Sequence, residues 1–141
     1  MCIRDRNIME ITNERLIEIW YHEMWNKWNK EVMTQILDEK ITFRGSLGKE
    51  KSGFDGLAEY IDFIQDAFPD FHNEIEMIIT EGDKSFAKLK YSGTQKGEVF
   101  GIEPSNKKIE YFGSAIFSFQ NGKITDVWVL GDIYGLIKQI E

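Results

Sequence analysis

The sequence is poor in the residues that build cross-linked or metal-bound frameworks. Its 141 residues include a single cysteine, Cys2, which excludes a disulfide within one chain and a cysteine-rich metal site. Only two histidines are present, His22 and His72, which makes a histidine-rich zinc site a poor fit. The sequence therefore predicts a functional site without a metal ion.

Long apolar runs and basic stretches are also missing. No apolar run approaches the roughly 20 residues that are needed to span a membrane, and the N-terminus lacks the apolar core of a signal peptide. The net charge is −7, the charges are scattered, and no basic stripe exists. These absences predict a cytoplasmic protein with neither nucleic acid nor a membrane as a partner.

The length and the hydrophobic content predict one folded domain. The 141 residues are enough for a single sizeable core, and 42% of them are hydrophobic. Residues 1–7 lack the periodicity of the segment that follows, and their first letters, MCIRDR, resemble a non-native leader. We therefore interpret residues 1–11 as a tail and residues 12–141 as the domain.

The period of the apolar residues changes along the chain from helical to extended. Spacings of three and four predict helices over 12–29, 30–38 and 54–68. A period of two follows Pro69, and the predicted strands are 41–46, 72–80, 84–95 and the two arms of a hairpin over 109–132. A last helix is predicted over 133–140. Helices that precede antiparallel strands indicate an α+β fold with the helices on one face of a sheet.

The hairpin over 109–132 is the most informative segment, because its turn fixes its register. Asn121-Gly122 is the dipeptide that a type I′ turn requires, and a two-residue turn makes the numbers of paired residues sum to 243. This register places Tyr111 opposite Asp132 and Ala115 opposite Trp128. We interpret this face, with a carboxylate, a phenol and an indole around small residues, as a pocket wall.

The other face of this hairpin is predicted to be apolar as well. In the same register it carries Phe112, Ile116, Val127 and Val129. A sheet that is apolar on both sides needs two covers, and the helices can supply one. The second cover is predicted to be another copy of the chain, so that a homodimer forms through the outer sheet face.

Several strings of this sequence are similar to those of one family. They are FRGSLG (43–48), AFPDFHNEIE (67–76), EGDK (81–84), YSGTQKGEVFGIEPSNKKI (91–109) and GKITDVWVLGDIYGLIKQI (122–140). Together they resemble the SnoaL-like polyketide cyclase, or ester cyclase, family of the NTF2-like superfamily. The combination of SGT-x-KG-x-x-FGI-x-P with a terminal W-x-x-x-D carries the resemblance, which covers nearly the whole chain after residue 12.

The resemblance implies a fold and a chemistry. The fold is an α+β NTF2-like cone, in which three N-terminal helices pack on a curved antiparallel sheet and enclose an apolar pocket. The chemistry is ring closure by intramolecular aldol condensation of a small apolar carbonyl compound, without a metal or a cofactor. The acid/base aspartate of the family matches Asp132. Relatives often have a histidine where this chain has Gln95, which can hydrogen-bond a carbonyl but cannot exchange a proton near neutral pH.

Asp132 has two interpretations. It precedes the last predicted helix and fits the N-cap of that helix. Alternatively, a carboxylate beside Trp128 and Tyr111 would be partly desolvated, which would raise its pKa and suit it to take an α-proton from a carbonyl substrate. We treat Asp132 and Gln95 as the candidate catalytic residues, with Gln95 as a donor to an enolate oxygen.

Several candidate substrate-binding residues lie on predicted strands. His72 shares a predicted strand face with Tyr91 and Gln95, and it either donates to the enolate or bonds a backbone carbonyl. Tyr111 either donates to the same oxyanion or packs across the strands. Trp128 is predicted to shape the pocket.

The other candidates lie in the first half of the chain and in the predicted strand over 84–95. Tyr21 and Trp25 are predicted to line the pocket from the first helix, and Tyr91 is predicted to face it from the strand over 84–95. Arg44 either binds a carboxylate or phenolate substrate or lies on the surface beside an acid.

Two classes of function remain open on the sequence. The leading hypothesis is a cofactor-free enzyme with Asp132 as the acid/base. The rival is a non-catalytic small-molecule binding protein, which Gln95 favours because a relative without its proton-transfer partner can keep the pocket alone. Isomerisation, dehydration and hydrolysis in the same pocket are alternative chemistries, because one fold hosts many reactions.

Overall fold

The computed structural model describes residues 11–141, which form helices mainly in the first half of the chain and strands mainly in the second. The first helix, α1, covers Asn13–Glu18 and continues as a π-helix over Ile19–Trp25. The other elements, in chain order, are α2 (a 3₁₀ turn, Lys30–Val32, and then Met33–Ile36), β1 (Leu37–Arg44), β2 (Glu50–Ser52), α3 (Gly53–Ala67), β3 (His72–Glu81), β4 (Lys84–Thr94), β5 (Lys108–Gln120), β6 (Lys123–Gly131) and α4 (Ile133–Ile140). The predicted tail, residues 1–11, lies outside the described residues except for residue 11.

The first helix begins at a predicted cap and ends as a wider helix. The Thr12 hydroxyl accepts a hydrogen bond from the backbone N–H of Arg15 at 3.1 Å, which satisfies one free donor of the first turn. In the π-helical part the backbone bonds span five residues, as in the bond from the Asn26 N–H to the Tyr21 carbonyl at 2.8 Å. The predicted helix over 12–29 is therefore an α-helical and a π-helical segment that end at Trp25.

The next two predicted helices are confirmed with different ends. The helix predicted over 30–38 stops at Ile36, because Leu37 already pairs with Ile124 in the sheet. The helix predicted over 54–68 begins one residue earlier, at Gly53, and the chain leaves it at Phe68. Phe68 precedes a proline, and that position disfavours the α-helical conformation.

A six-stranded curved sheet forms the second layer, with the strands in the order β2-β1-β6-β5-β4-β3. Neighbouring strands are antiparallel except for β1 and β6, which run parallel. The prediction of an antiparallel sheet is therefore wrong for this pair. These two strands lie far apart in the sequence, so no tight turn imposes the antiparallel direction on them. The α+β fold class is confirmed.

The β3–β4 hairpin does not keep one register along its length. Glu81 pairs with Lys84, as a two-residue turn requires. An extra residue, Glu76, then shifts the pairing, so that His72 lies opposite Ser92. The shift reverses the alternation of faces, and His72 is exposed whereas Tyr91 is buried. The prediction that these two side chains share a face was wrong.

The β5–β6 hairpin also follows its predicted register only near the turn. Asn121 and Gly122 have φ angles of 54° and 75°, which confirms the positive φ values that the type I′ turn requires. Gln120 pairs with Lys123 as predicted. Thr125 is then an extra residue in β6, and every later pair is shifted by one.

The bulge at Thr125 exchanges the two faces of β6. Trp128 pairs with Ile116 and Leu130 with Ser114, and the two β6 side chains are 41% and 51% exposed on the outer face. Trp128 therefore does not share a face with buried Tyr111, and Asp132 does not pair with it, so both predictions were wrong. The cause is general, because a shift of one residue turns every later side chain of a strand to the opposite face.

The two faces of the sheet differ in their cover. The inner face and the helices enclose the core, and Val127 and Val129 belong to it, not to the outer face as predicted. Phe112 and Ile116 lie on the outer face as predicted, but with different neighbours. The large apolar side chains exposed on that face are Met77, Ile79, Phe86, Phe112, Ile116, Trp128 and Leu130. Within residues 11–141, none of the helices has the length and apolar character to cross a membrane.

Candidate active site

A cavity lies between the inner sheet face and the helices. Seven of its lining residues are aromatic, and the full lining is Trp20, Tyr21, Trp25, Phe43, Ser46, Tyr60, Ile64, Phe71, Asn73, Tyr91 and Val129. Its volume is about 20 Å³, which is room for about one water molecule. The walls are therefore mostly aromatic, and a few hydroxyls and one amide interrupt them.

The π-helical segment brings three aromatic residues of one helix to this cavity. Trp20 and Trp25 are five residues apart, which is the spacing of one π-helical hydrogen bond, and their ring centroids are 6.5 Å apart. In an α-helix of 3.6 residues per turn, side chains at this spacing point in different directions. The wider turn lets both indoles line the cavity together with Tyr21.

Edge-to-face ring contacts hold the cavity walls. Trp20 meets Phe117 of β5 with centroids 5.8 Å apart and planes at 89°. Tyr60 of α3 meets Trp25 at 6.0 Å and Phe43 at 5.2 Å, both in T-shaped contacts. Such pairs contribute about 0.5–1.5 kcal/mol each beyond their burial. The contacts connect α1, α3 and the sheet around the cavity.

Two hydroxyls of the cavity wall are buried without a hydrogen bond. Within the part of the chain that the structure describes, neither the Tyr21 nor the Tyr60 hydroxyl has a partner, and both side chains are almost fully buried. A buried polar group without a partner costs about 1–3 kcal/mol. A ligand oxygen in the cavity would remove this cost.

Burial keeps the tyrosines of this region protonated. Burial raises the pKa of Tyr21 above its ordinary value, and it raises the pKa of Tyr91 and Tyr111 well above theirs. Burial raises the pKa of Tyr60 to about 12, although the Leu47 backbone and the Ser46 hydroxyl lie close enough to lower it somewhat. A protonated phenol is a hydrogen-bond donor, so the cavity offers donors at neutral pH.

Tyr111 lies behind the cavity wall and is held by a different partner than predicted. Its hydroxyl and the Ser46 hydroxyl are 3.0 Å apart and share a hydrogen bond. Its ring lies 4.8 Å from that of Tyr91, which lines the cavity. Gly113 permits this packing, because an added Cβ there would come within 2.5 Å of the Tyr91 ring. The Tyr91 ring therefore fills the space beside Gly113.

Asn73 supplies the amide of the cavity wall, and the bulge in β3 places it there. Asn26 accepts hydrogen bonds from the Asn73 backbone N–H at 2.8 Å and from its side-chain amide at 3.1 Å. The Asn26 amide donates in turn to the Asn73 carbonyl at 3.0 Å. These bonds fix the start of β3 to the end of the π-helix, so Asn73 is held in position.

Asp132 is the N-cap of α4 and lies outside the cavity wall. Its carboxylate accepts a hydrogen bond from the Gly135 N–H at 3.0 Å, and the side chain is exposed. Gly131, the residue before it, packs closely on Ser46, since an added Cβ would come within 3.1 Å of the Ser46 Cβ. The carboxylate thus lies next to a neighbour of the cavity, and its catalytic role stays a prediction.

Gln95 holds the loop between β4 and β5 and does not line the cavity. It is fully buried, and its amide donates to the carbonyls of Gly97 and Ile102 at 3.1 Å each. Its side-chain oxygen accepts a hydrogen bond from the Ser105 N–H at 3.0 Å. Both N–H groups are therefore used within the loop. A donor role toward a substrate stays a prediction, with no contact in its favour.

Arg44, Trp128 and His72 lie away from the cavity. The Arg44 guanidinium lies 5.2 Å from the Trp128 ring centroid, and it donates to the Val129 carbonyl. His72 is exposed on β3. Of the nine candidate site residues, Tyr21, Trp25 and Tyr91 line the cavity and Tyr111 lies directly behind it. Residues 11–141 contain no group of three or more histidine, cysteine or acidic side chains that could hold a metal ion.

Tyr60, Asn73 and Ser46 also line the cavity and are not among the candidate site residues. Tyr60 fits the inner face of its predicted helix, at a helical spacing from Leu57 and Ile64, and this period was the available signal. Asn73 carried no such signal, because the bulge at Glu76 decides that it points inward. Ser46 lies in the turn between β1 and β2, and β2 was not predicted.

The sheet order and the helices packed on one face of the curved sheet define an NTF2-like fold. The family model of SnoaL-like polyketide cyclases matches residues 15–140, and the chain belongs to this family. A comparison with curated proteins finds no match.

Solved structures agree with the fold at low sequence identity. A protein described as a SnoaL-like polyketide cyclase from Jannaschia sp. CCS1 is 16% identical with a TM-score of 0.83, over 91% of this chain and 90% of that one. TsrD from Streptomyces laurentii is 22% identical with a TM-score of 0.81, over 93% and 98%. A protein described as a polyketide cyclase from Bacillus cereus ATCC 10987 is 27% identical with a TM-score of 0.74, over 89% and 78%.

Proposed function

We propose that this protein binds a small apolar carbonyl compound in the aromatic cavity, with the Tyr21 hydroxyl as the donor to the carbonyl oxygen. The observation that carries the proposal is the buried Tyr21 hydroxyl, which has no partner among the described residues. A carbonyl oxygen is an acceptor only, so it suits this free donor. The aromatic walls suit the apolar body of such a ligand.

A matched pair of ligands tests the proposal. Benzylacetone carries a carbonyl, and butylbenzene is its hydrocarbon analogue. Calorimetry measures the affinity of the protein for each ligand. We expect the ketone to bind more tightly, and Tyr21→Phe to reduce that preference about fivefold to tenfold, as the loss of one hydrogen bond of about 1 kcal/mol implies. Tyr134→Phe is the control, because Tyr134 is exposed on α4. Equal affinities for the two ligands would contradict the proposal.

Cyclase-type catalysis in the same site is the second candidate function. The family supports it, and so does the position of Asp132 one residue after Gly131, which packs on Ser46 of the cavity wall. A carboxylate that left the N-cap of α4 by side-chain rotation would be free to act as a base. Donors that bind a carbonyl oxygen also stabilise the enolate that forms from it.

The steps of this chemistry need only the residues named and no cofactor. The Asp132 carboxylate takes the α-proton of the substrate, and the electron pair of the C–H bond forms an enolate held by Tyr21. The enolate carbon attacks a second carbonyl carbon of the same molecule and closes the ring. The carboxylic acid then returns its proton to the new alkoxide. Isomerisation and dehydration would begin with the same proton transfer.

Proton exchange tests the base without knowledge of the substrate. Proton NMR in D₂O measures the exchange of the α-protons of benzylacetone. We expect the wild type to accelerate the exchange and Asp132→Asn to abolish the acceleration. Asparagine caps a helix about as well as aspartate, so this variant keeps the cap and removes the base. Exchange at the wild-type rate in Asp132→Asn would exclude Asp132, and no acceleration by the wild type would favour binding alone.

We further propose that the outer sheet face packs on a second copy of the chain. The face carries seven large exposed apolar side chains in a protein of net charge −7. Its charged groups are balanced, because Glu76 pairs with Lys88 at 3.4 Å and Lys90 with Glu110 at 3.3 Å. A two-fold dimer brings a patch against itself, and a balanced patch avoids like-charge repulsion there.

A further inference from the structure

Tyr60 separates the aromatic cavity from a groove on the surface. The groove has a volume of about 210 Å³, and Tyr60 lines it together with Lys49, Lys51, Glu59 and Phe63. The cavity itself, at about 20 Å³, has room for about one water molecule. A benzene-sized molecule needs on the order of 150 Å³. Any organic ligand therefore enters only if a wall residue moves.

Tyr60 is the wall residue that lines both the cavity and the groove, and its movement breaks no hydrogen bond to a described residue. Its buried hydroxyl makes no hydrogen bond to any described residue, and it lies tightly against Gly45, where an added Cβ would be 2.4 Å away. Asn73, by contrast, would lose its hydrogen bonds to Asn26. Rotation of Tyr60 out of the wall would join the cavity to the groove, because the same ring lines both.

Lys49 gives the groove a positive charge without an ion pair among the described residues, although the Glu59 carboxylate of the same groove lies close enough to attract it. Its ammonium lies 4.2 Å from the ring centroid of Phe63, and no carboxylate among residues 11–141 forms an ion pair with it. The neighbouring Lys51 is already paired with Glu59 at 2.7 Å. The joined site thus has hydroxyl donors at its inner end and an ammonium at its outer end.

We propose that the joined site takes an apolar carbonyl compound that also carries a carboxylate. Its carbonyl oxygen binds the Tyr21 hydroxyl, its apolar body occupies the space that Tyr60 leaves, and its carboxylate binds Lys49. This inference rests on the proposed function for the inner end of the site. It adds a carboxylate subsite and a side chain that opens the site.

A charged ligand and its neutral ester test the subsite. Calorimetry at low ionic strength compares 3-benzoylpropionate, an aryl ketone with a carboxylate, with its methyl ester. We expect Lys49→Gln to weaken the binding of the acid about threefold to tenfold and to leave the ester unchanged. Lys40→Gln is the matched control, because Lys40 is exposed and lines neither the cavity nor the groove. An equal effect of both variants, or of one variant on both ligands, would overturn the subsite.

The rate of association tests the opening by Tyr60. Stopped-flow fluorescence follows Trp20 and Trp25, which line the cavity. We expect Tyr60→Leu, which leaves a permanent opening, to raise the association rate constant of both ligands about tenfold or more, and Tyr134→Leu, at an exposed tyrosine outside the cavity and the groove, to leave it within twofold. Equal rates in Tyr60→Leu and the wild type would overturn the opening. The benzylacetone titration checks the inner site separately, so failure of the subsite and failure of the proposed function are distinguishable.

Discussion

The side chains of Tyr21, Tyr60, Tyr91 and Tyr111 are buried in the core. This burial determines the pH at which each hydroxyl loses its proton. Each pKa is raised because the ionised phenolate would lose its hydration in the core. The four groups therefore act as hydrogen-bond donors or acceptors and not as acids near neutral pH. A base for proton transfer has to come from outside this cluster, which is why Asp132 remains the candidate.

Raised tyrosine pKa values predict a loss of stability in alkali. Above the ordinary pKa of 10, a tyrosine releases its proton in the unfolded chain but keeps it in the folded one. The folded state then binds more protons, and the free energy of unfolding falls as the pH rises, by about 1.4 kcal/mol per pH unit for each such tyrosine. Well below pH 10 both the folded and the unfolded state keep these protons, so these groups do not make the free energy of unfolding depend on pH.

Urea unfolding between pH 9 and about 11.5 measures this effect. Tyr21→Phe removes one of the buried groups, so we expect its slope to be shallower than that of the wild type by about 1.4 kcal/mol per pH unit. An unchanged slope in this variant would mean that Tyr21 ionises as easily in the folded protein as in the unfolded one.

The cap at Asp132 predicts a second effect at the scale of one residue. Asp132→Ala removes the acceptor for the Gly135 N–H, and the free energy of unfolding should fall by about 1 kcal/mol. Asp132→Asn keeps an acceptor and should leave it nearly unchanged. Thermal and urea unfolding of the two variants measure the difference. Equal stability of the alanine variant and the wild type would show that the capping bond contributes nothing.

At the scale of elements, the turns were predictable and the bulges were not. Asn121-Gly122 and Gly82-Asp83 mark their hairpins because positive φ values restrict the residue types. The extra residues Glu76 and Thr125 are ordinary strand residues, and only the packing of the curved sheet determines where they fall. The sequence therefore predicts which strands pair but assigns the wrong faces beyond each bulge.

The unpredicted bulges also explain which candidate site residues were placed on the wrong face. Tyr21 and Trp25 both line the cavity, because their spacing of four residues keeps them on the inner side of the helix in its π-helical part as well, and their role in ligand binding stays a prediction. Trp128 and His72 were placed on the wrong face, because each lies beyond a bulge. Gln95 follows β4 directly, but its amide turns into the loop. No sequence pattern indicates which backbone groups of a loop need a side-chain partner.

The loop after β4 depends on Gln95. Gln95→Leu leaves the carbonyls of Gly97 and Ile102 and the N–H of Ser105 without their partner. We expect the free energy of unfolding to fall by about 2 kcal/mol or more, since each buried group left unpaired costs about 1–3 kcal/mol. Hydrogen exchange at the Ser105 amide should become faster.

An exposed glutamine provides the control for this prediction. Gln120 ends β5 and is exposed, so Gln120→Leu makes the same chemical change without a buried partner. It should alter the free energy of unfolding by less than about 0.5 kcal/mol. If the two variants are equally stable, the hydrogen bonds of Gln95 do not hold the loop.

At the scale of the whole molecule, the outer sheet face predicts a homodimer. Ile116 lies on this face on β5, and Ile116→Lys would bury a charge without a partner in the interface. Sedimentation velocity at about 50 μM should detect a dimer for the wild type and a monomer for the variant, a shift of at least about tenfold in the dissociation constant.

The control for the dimer lies on the last helix. Tyr134 is 73% exposed on α4, and Tyr134→Lys adds the same charge away from the sheet face. This variant should remain a dimer. A monomeric wild type, or a dimer that persists in Ile116→Lys, would contradict an interface on the outer face.

The most direct test of the central claim is the carbonyl stretching frequency of bound benzylacetone, labelled with ¹³C at the carbonyl and measured by infrared difference spectroscopy. If the Tyr21 hydroxyl donates to the carbonyl, the band lies at lower frequency than in a hydrocarbon solvent, and Tyr21→Phe moves it back toward that value. A band at the hydrocarbon position in the wild type, or one that Tyr21→Phe leaves in place, would contradict the claim that the Tyr21 hydroxyl binds the ligand.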